Sequence, residues 1–255
     1  MLPGKSVFLL FLLSFLCFPQ DPVPVPKPVG VKIVRPGVVG IAATPPVGGT
    51  LVVFGYSLEE PPAGTRLQGI SMFYEFTVEK RISLFFTATE PLVRGAHAGV
   101  GDTAPGIKFR LAAERRLLPL LALSYAVKLP TATAGFGTGL YDHKLNLHAD
   151  KNIGVTRWTG NFATAWCRQK DGSLKPVYTP SLAYLTRFTT RWGGTLQSYW
   201  TTTGKGYGGI VAAPFFQVKN SFNVFAGGMR NVGRPGCRYG LVAGFNYMHR
   251  PRLRS

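Results

Sequence analysis

The chain reads as an all-β protein: one closed antiparallel transmembrane β-barrel of about twelve strands, with ten also open. Three observations lead there. Between Thr50 and Met248, short segments alternate apolar and polar residues with period two, the mark of strands whose two faces meet different surroundings. Their connections alternate long and short, as in a membrane barrel with turns on one rim and larger loops on the other. Aromatic residues, among them Tyr74, Trp158, Trp192, Tyr199, Trp200, Tyr207 and Tyr247, gather near strand ends, where amphipathic rings suit a membrane–water boundary. A soluble β-sandwich has no physical reason to keep that rhythm of loops.

The N-terminus reads as a signal peptide over residues 1–20. Lys5 supplies the positive charge and Val7–Phe18 the apolar stretch, which is too short to span a bilayer as a helix. This predicts export and an outer-membrane location. Residues 21–49 are proline-rich, with Pro22, Pro24, Pro26 and Pro28 followed by Pro36, Pro45 and Pro46. Proline withholds ladder hydrogen bonds and favours extended polyproline II, so this segment reads as a semi-rigid periplasmic leader. Val31–Ile41 offers one edge strand, which Pro36 demotes.

The barrel is expected over residues 50–249. Ile70, Met72, Tyr74, Phe76 and Val78 alternate with Ser71, Phe73, Glu75, Thr77 and Glu79. Ile107, Phe109 and Leu111 alternate with Gly106, Lys108 and Arg110. Leu121, Leu123, Tyr125 and Val127 alternate with Ala122, Ser124, Ala126 and Lys128. The clearest case sets Leu145, Leu147 and Ala149 against Lys144, Asn146, His148 and Asp150. Near the end Tyr239, Leu241, Ala243, Phe245 and Tyr247 share one face. Short turns are expected near Glu79-Lys80, Ala112–Arg116, Lys151–Gly154, Thr189-Thr190 and Lys219-Asn220. Longer loops fall at Leu58–Leu67, Pro91–Gly99, Pro130–Thr138, Arg168–Val177, Gly204–Gly208 and Val232–Cys237. An even strand count puts both termini on the short-turn rim. Residues 250–255 form a basic tail.

The net charge is +18, and no Asp or Glu follows Asp171, whereas eleven Lys and Arg do. Such a field favours anionic partners: lipopolysaccharide or phospholipid head groups, or anionic solutes. Nucleic acid would also suit the charge, but the signal peptide and the loop rhythm set it aside. The plain alternative is that basic charge only keeps the protein soluble.

The alternation points Glu75, Arg81, Lys108, Arg110, Lys128, Lys144, His148 and Asp150 into the lumen. A cationic lumen concentrates anions. The same residues are equally the salt-bridged filling of a narrow barrel. Asp102 either closes a turn or pairs with a cation across the lumen. His143 and His148, five apart on a strand, face opposite ways and make no metal pair. Ser124 and Ser198 sit near positions where a nucleophile would stand, but no local Ser–His–acid set accompanies them. The glycine-rich run from Gly204 to Gly209 has no helix after it and reads as a loop, not a phosphate cradle. No cofactor, metal site or catalytic residue is expected. Cys167 and Cys237 fall in loops far apart around the barrel and read as free or buried thiols.

Several motifs together resemble a known family. The hairpin Tyr74-Glu75-Phe76-Thr77-Val78-Glu79-Lys80-Arg81 is similar to the tyrosine–threonine–acidic–arginine hairpin of the MetA-pathway phenol-degradation family of outer-membrane barrels. Gly101-Asp102-Thr103 followed by Ile107-Lys108-Phe109-Arg110 resembles its glycine–aspartate strand. Ala126-Val127-Lys128-Leu129-Pro130-Thr131 resembles its lysine–leucine–proline–threonine strand end, with Ala132 where glycine is usual. Tyr74 is followed by Glu75 rather than glycine, and the chain ends on basic residues rather than an aromatic. The resemblance marks Tyr74, Thr77, Gly101, Asp102 and Pro130 as motif residues and implies a transport-like role without catalysis. The leading expectation is therefore a channel for small solutes, anionic or aromatic in preference. A plugged structural or adhesive barrel, and a secreted basic β-protein, stay beside it.

Overall fold

The structure, a computed structural model, describes residues 41–60, 67–94, 97–134, 136, 138–169, 171–202, 206–232 and 239–251. The expected signal peptide, most of the leader, Cys237 and the end of the basic tail lie outside these residues. Twelve long strands run in chain order: β1 Thr50–Glu60, β2 Leu67–Glu79, β3 Ile82–Arg94, β5 Thr103–Ala112, β6 Leu120–Lys128, β7 Asp142–Ile153, β8 Thr156–Arg168, β9 Leu174–Arg187, β10 Trp192–Thr201, β11 Tyr207–Lys219, β12 Phe222–Val232 and β13 Tyr239–His249. A three-residue strand, β4 His97–Gly99, folds back on the end of β3.

Each long strand pairs antiparallel with its sequence neighbours, and β1 pairs with β13 from Thr50 opposite His249 to Glu60 opposite Tyr239. That seam closes the sheet into a barrel. Closure leaves none of the twelve long strands at an edge, so their backbone donors and acceptors can be satisfied within the ladder, as hydrocarbon surroundings require. Strand lengths from nine residues in β6 to fourteen in β9 suffice to cross a bilayer core at a tilt.

The two rims differ as the loop rhythm predicts. One carries the turns 80–81, 154–155 and 220–221 together with 188–191 and 113–119; the other carries the remaining connections, among them 129–141. Gly154 has φ +59° at the first position of its two-residue turn, a backbone conformation that costs glycine nothing.

The barrel exterior is apolar. Leu84, Phe109, Leu147, Leu196, Ile210 and Leu241 all stand exposed on the outward face. Cross-strand aromatic pairs add to it: Phe54 on Phe245 at 5.4 Å, and Trp158 on Tyr184 and Trp192 on Phe216, each at 4.9 Å between ring centroids. A belt of this extent is a liability in water and the natural complement of lipid.

Inside, three phenylalanines lie flat over glycines on the neighbouring strand. Phe85 is paired with Gly106, Phe215 with Gly193 and Phe225 with Gly244. A Cβ at Gly106 would come within 2.3 Å of the Phe85 ring, and one at Gly193 within 2.2 Å of Phe215. The missing side chain is what lets each ring fold against the wall instead of projecting across the lumen.

One segment departs from the sequence reading. Residues 41–49, expected in the periplasmic leader, thread into the short-turn end of the barrel. Ile41 packs on the inward side chains Leu51 and Val53, with Phe73 and Met248 against them. The backbone N–H of Ala43 donates to Asp150 Oδ2 on β7 at 2.9 Å, and Arg110 on β5 donates to the Thr44 hydroxyl. A turn from Pro46 to Gly49 then swings the chain into β1; Gly48 supplies φ +71° there, and the Gly49 N–H closes on the Pro46 carbonyl at 2.8 Å. The same composition that suggests a linker explains the burial. Buried Pro45 has no N–H to leave unsatisfied, Ile41 and Ala42 are apolar, and Pro46 already stands exposed in the turn.

Candidate functional site: the barrel lumen

The lumen divides into a packed half and an open half. At the short-turn end it is filled by side chains and by residues 41–46. Lys108 bridges both oxygens of Glu75 at 2.8 Å, with the two side chains only 2% and 0% exposed. Asp150 pairs with Arg157 on the adjacent strand while its Oδ2 also accepts from Ala43. Thr77 and Ser83 share a hydrogen bond of 3.0 Å, and Arg187 donates to Gln217 at 2.6 Å. These polar contacts alternate with an apolar cluster of Leu185, Phe215 and Phe225. A buried charge survives away from water only when it is paired and hydrogen-bonded, and the Glu75–Lys108 pair meets that condition.

Toward the long-loop rim the lumen opens into a cavity of about 660 Å³. One wall, from β5 to β8, is polar and carries Lys108, Lys128, Lys144, Asn146 and His148. The facing wall, from β11 through β13 to β1, is apolar, with Val211, Phe225, Met229, Val242 and Val53. Lys128 is held at the mouth: it pairs with Asp142, lies 3.5 Å from Asp102 and donates to Thr138 at 2.7 Å. Lys144 differs. It is exposed to the cavity, and among the described residues no carboxylate stands within ion-pair distance of it. In the β8–β9 loop, outside the barrel wall, the Ser173 hydroxyl and backbone N–H hold the Asp171 carboxyl below its ordinary value.

The residues expected in the lumen fall out as follows. Glu75, Lys108, Arg110, Lys128, Lys144, His148 and Asp150 lie on inward positions of β2, β5, β6 and β7. Arg81 does not: it stands exposed in the two-residue turn between β2 and β3. Alternation with Ser83 and Phe85 puts Arg81 inward, but β3 begins only at Ile82, so Arg81 belongs to the turn and does not follow the strand's phase. Of the motif residues, Thr77 is inward and buried, Tyr74 outward and exposed, and Asp102 near the mouth accepts from the Ala132 N–H at 3.2 Å. Gly101 is buried just before β5, and Pro130 lies in the 129–141 loop.

Tyr199 and Tyr207, expected among the membrane-boundary aromatics, instead point inward. Tyr199 donates to Asn231 Oδ1 at 2.7 Å, with its ring edge-on to Tyr207. Ser198 faces outward and exposed. Ser124, by contrast, lies 2.8 Å from His148 Nε2 inside the lumen. No sequence pattern could show that contact, because it joins two strands diagonally. His143 faces out and meets the Tyr125 hydroxyl at 2.7 Å. Among the described residues no group of three metal-ligating side chains comes together, and Cys167, beside the mouth, is a free thiol.

No family model matches the chain, and no curated protein matches it. Solved structures do. The crystal structure of the COG4313 outer membrane channel from Pseudomonas putida F1 superposes with a TM-score of 0.61 at 11% identity, over 86% of this chain and 100% of that one. The NanC porin gives 0.56 at 6% identity, over 78% and 98%, and the KdgM porin 0.54 at 7%, over 76% and 98%. At such identities the likeness shows fold and not family, and the MetA-pathway resemblance is not confirmed by it. The chain is a closed twelve-strand antiparallel β-barrel of the kind found in outer-membrane channels and porins.

Proposed function

We propose that this barrel sits in the outer membrane, short turns toward the periplasm, and admits small solutes with a preference for anions. The observation that carries the reading is the water-open chamber behind the long-loop mouth, with Lys144 exposed in it and lacking a counter-ion among the described residues. Among the described residues the charge balance of the lumen points the same way: Lys108, Arg110, Lys128, Lys144, Arg157 and Arg187 face Glu75, Asp102, Asp142 and Asp150, six basic groups against four acidic. Low-dielectric walls magnify such an excess. Residues 41–46 occupy the far end, so passage requires them to yield. The lumen serves as a conduit and carries no catalysis. The resemblance to the MetA-pathway family supports a transport role without naming the solute, and the basic rims would sit against anionic lipid head groups.

The test is ion selectivity in planar bilayers under a potassium chloride gradient. Open events of the whole chain should reverse on the anion side. Lys144→Glu combined with Lys128→Glu should move the reversal potential toward cations. An unmoved reversal potential in a conducting barrel would remove the selectivity claim.

A further inference from the structure

We infer that the chamber binds one small amphipathic carboxylate, its carboxylate on Lys144 and its apolar body against the wall formed by Val53, Val211, Phe225, Met229 and Val242. The inference deepens the channel proposal by naming a solute class, and it rests on solutes reaching the chamber.

The polar wall is specific in what it leaves unsatisfied. Lys108 is taken by Glu75, and Lys128 by Asp142 and Asp102. Lys144 alone of the chamber's lysines has no acid in reach among the described residues. Two positions along the same face, Asn146 Oδ1 is buried without a hydrogen-bond partner. Lys144 is flanked across the ladder by Ala126 and Ala165, and Asn146 by Ser124 and Ala163. These short side chains leave a notch in the wall around an ammonium group and an amide oxygen. A single lysine is a point charge suited to a monoanion. Asp142, two residues before Lys144 on the same face, disfavours a second negative charge. Asn146 Oδ1 would take a hydroxyl or N–H from the ligand or a bridging water.

The facing wall is mainly aliphatic and aromatic, with Ser57 and Ser71 as polar groups at its β1–β2 edge. Val53, Val211, Phe225 and Met229 each keep 9% or less of their surface exposed, with Val242 half-buried beside them, so an apolar body would cover only the strip of each side chain that faces the chamber. The volume of about 660 Å³ lies in the range of small-molecule pockets. A small residue, Gly55, and the flat-lying Phe225 keep the space between the walls clear.

Isothermal titration of the full chain, folded in detergent, with hexanoate, acetate and hexylammonium tests this. Hexanoate should bind, acetate at least about tenfold more weakly for want of its methylenes, and hexylammonium not at all. Lys144→Gln should weaken hexanoate at least tenfold. Met229→Gln should weaken hexanoate and leave acetate unchanged. Each variant is checked for its boiling-dependent gel shift, so that loss of fold is not mistaken for loss of the site. Hexanoate binding that survives Lys144→Gln, or hexylammonium binding as well as hexanoate, would overturn the site. So would a folded barrel that binds neither acid, and the channel proposal would stand apart from that failure, because conduction is measured separately. Hexanoate binding by a barrel that never conducts would uphold the site and remove the channel.

Discussion

Deleting residues 41–46 turns a mostly silent barrel into a steadily conducting one. In the intact chain these residues fill the short-turn end of the lumen. Ile41 and Ala42 are buried, Ala43 is tied to Asp150 and Thr44 to Arg110. Their removal empties that space, while the strands, the β1–β13 seam and the Asp150–Arg157 pair all stay. Single-channel recording should show conductance rise several-fold and the open fraction approach one. Ile41→Asp in the intact chain should act in the same direction, because a carboxylate cannot remain in the Leu51–Val53–Phe73 cluster and the segment would leave it. Equal conductance with and without residues 41–46 would mean that the segment does not obstruct the path.

Glu75→Ala produces the largest loss of stability of any single change at the lumen wall. Glu75 and Lys108 join β2 to β5 across β3 and are almost wholly shielded from water. Removing the carboxylate leaves a buried ammonium without its acid, which costs about 3–5 kcal/mol. The temperature at which the folded band disappears from an unboiled gel should fall markedly. Glu75→Leu with Lys108→Met removes both charges at similar volume and should recover most of that loss, since the desolvation cost of the pair disappears with it. A double variant as unstable as the single one would show that the pair holds the wall by more than compensating itself.

Much of this barrel is legible in the chain, because a membrane barrel is a local pattern repeated. Leu145 and Leu147 face outward while Asn146 and His148 face inward, as period two requires, and the same holds for Leu241 against Asn246 near the end. The turns at 80–81, 154–155 and 220–221 each end one residue beyond the expected Glu79-Lys80, Lys151–Gly154 and Lys219-Asn220. What could not be read depends on long-range register. Residues 41–46 look like a linker, because proline content reports local stiffness and says nothing of where a stiff segment goes. Arg81 lies one residue before β3, in the turn, where alternation along the strand no longer sets its direction. Tyr199 and Tyr207 sit at strand ends like boundary aromatics, yet the phase of their strands turns them inward, where Asn231 takes the Tyr199 hydroxyl. The approach of Ser124 to His148 requires β6 and β7 to be paired in a known register. The special place of Lys144 emerges only when its neighbours' partners are known.

The central claim is a closed barrel, embedded in the outer membrane, with a solute-accessible interior. Fractionation of expressing cells with gels of boiled and unboiled membrane samples tests it most directly. Recovery in the outer-membrane fraction is expected, with a band whose mobility changes on boiling. Recovery in the soluble fraction, with identical mobility in both samples, would contradict it.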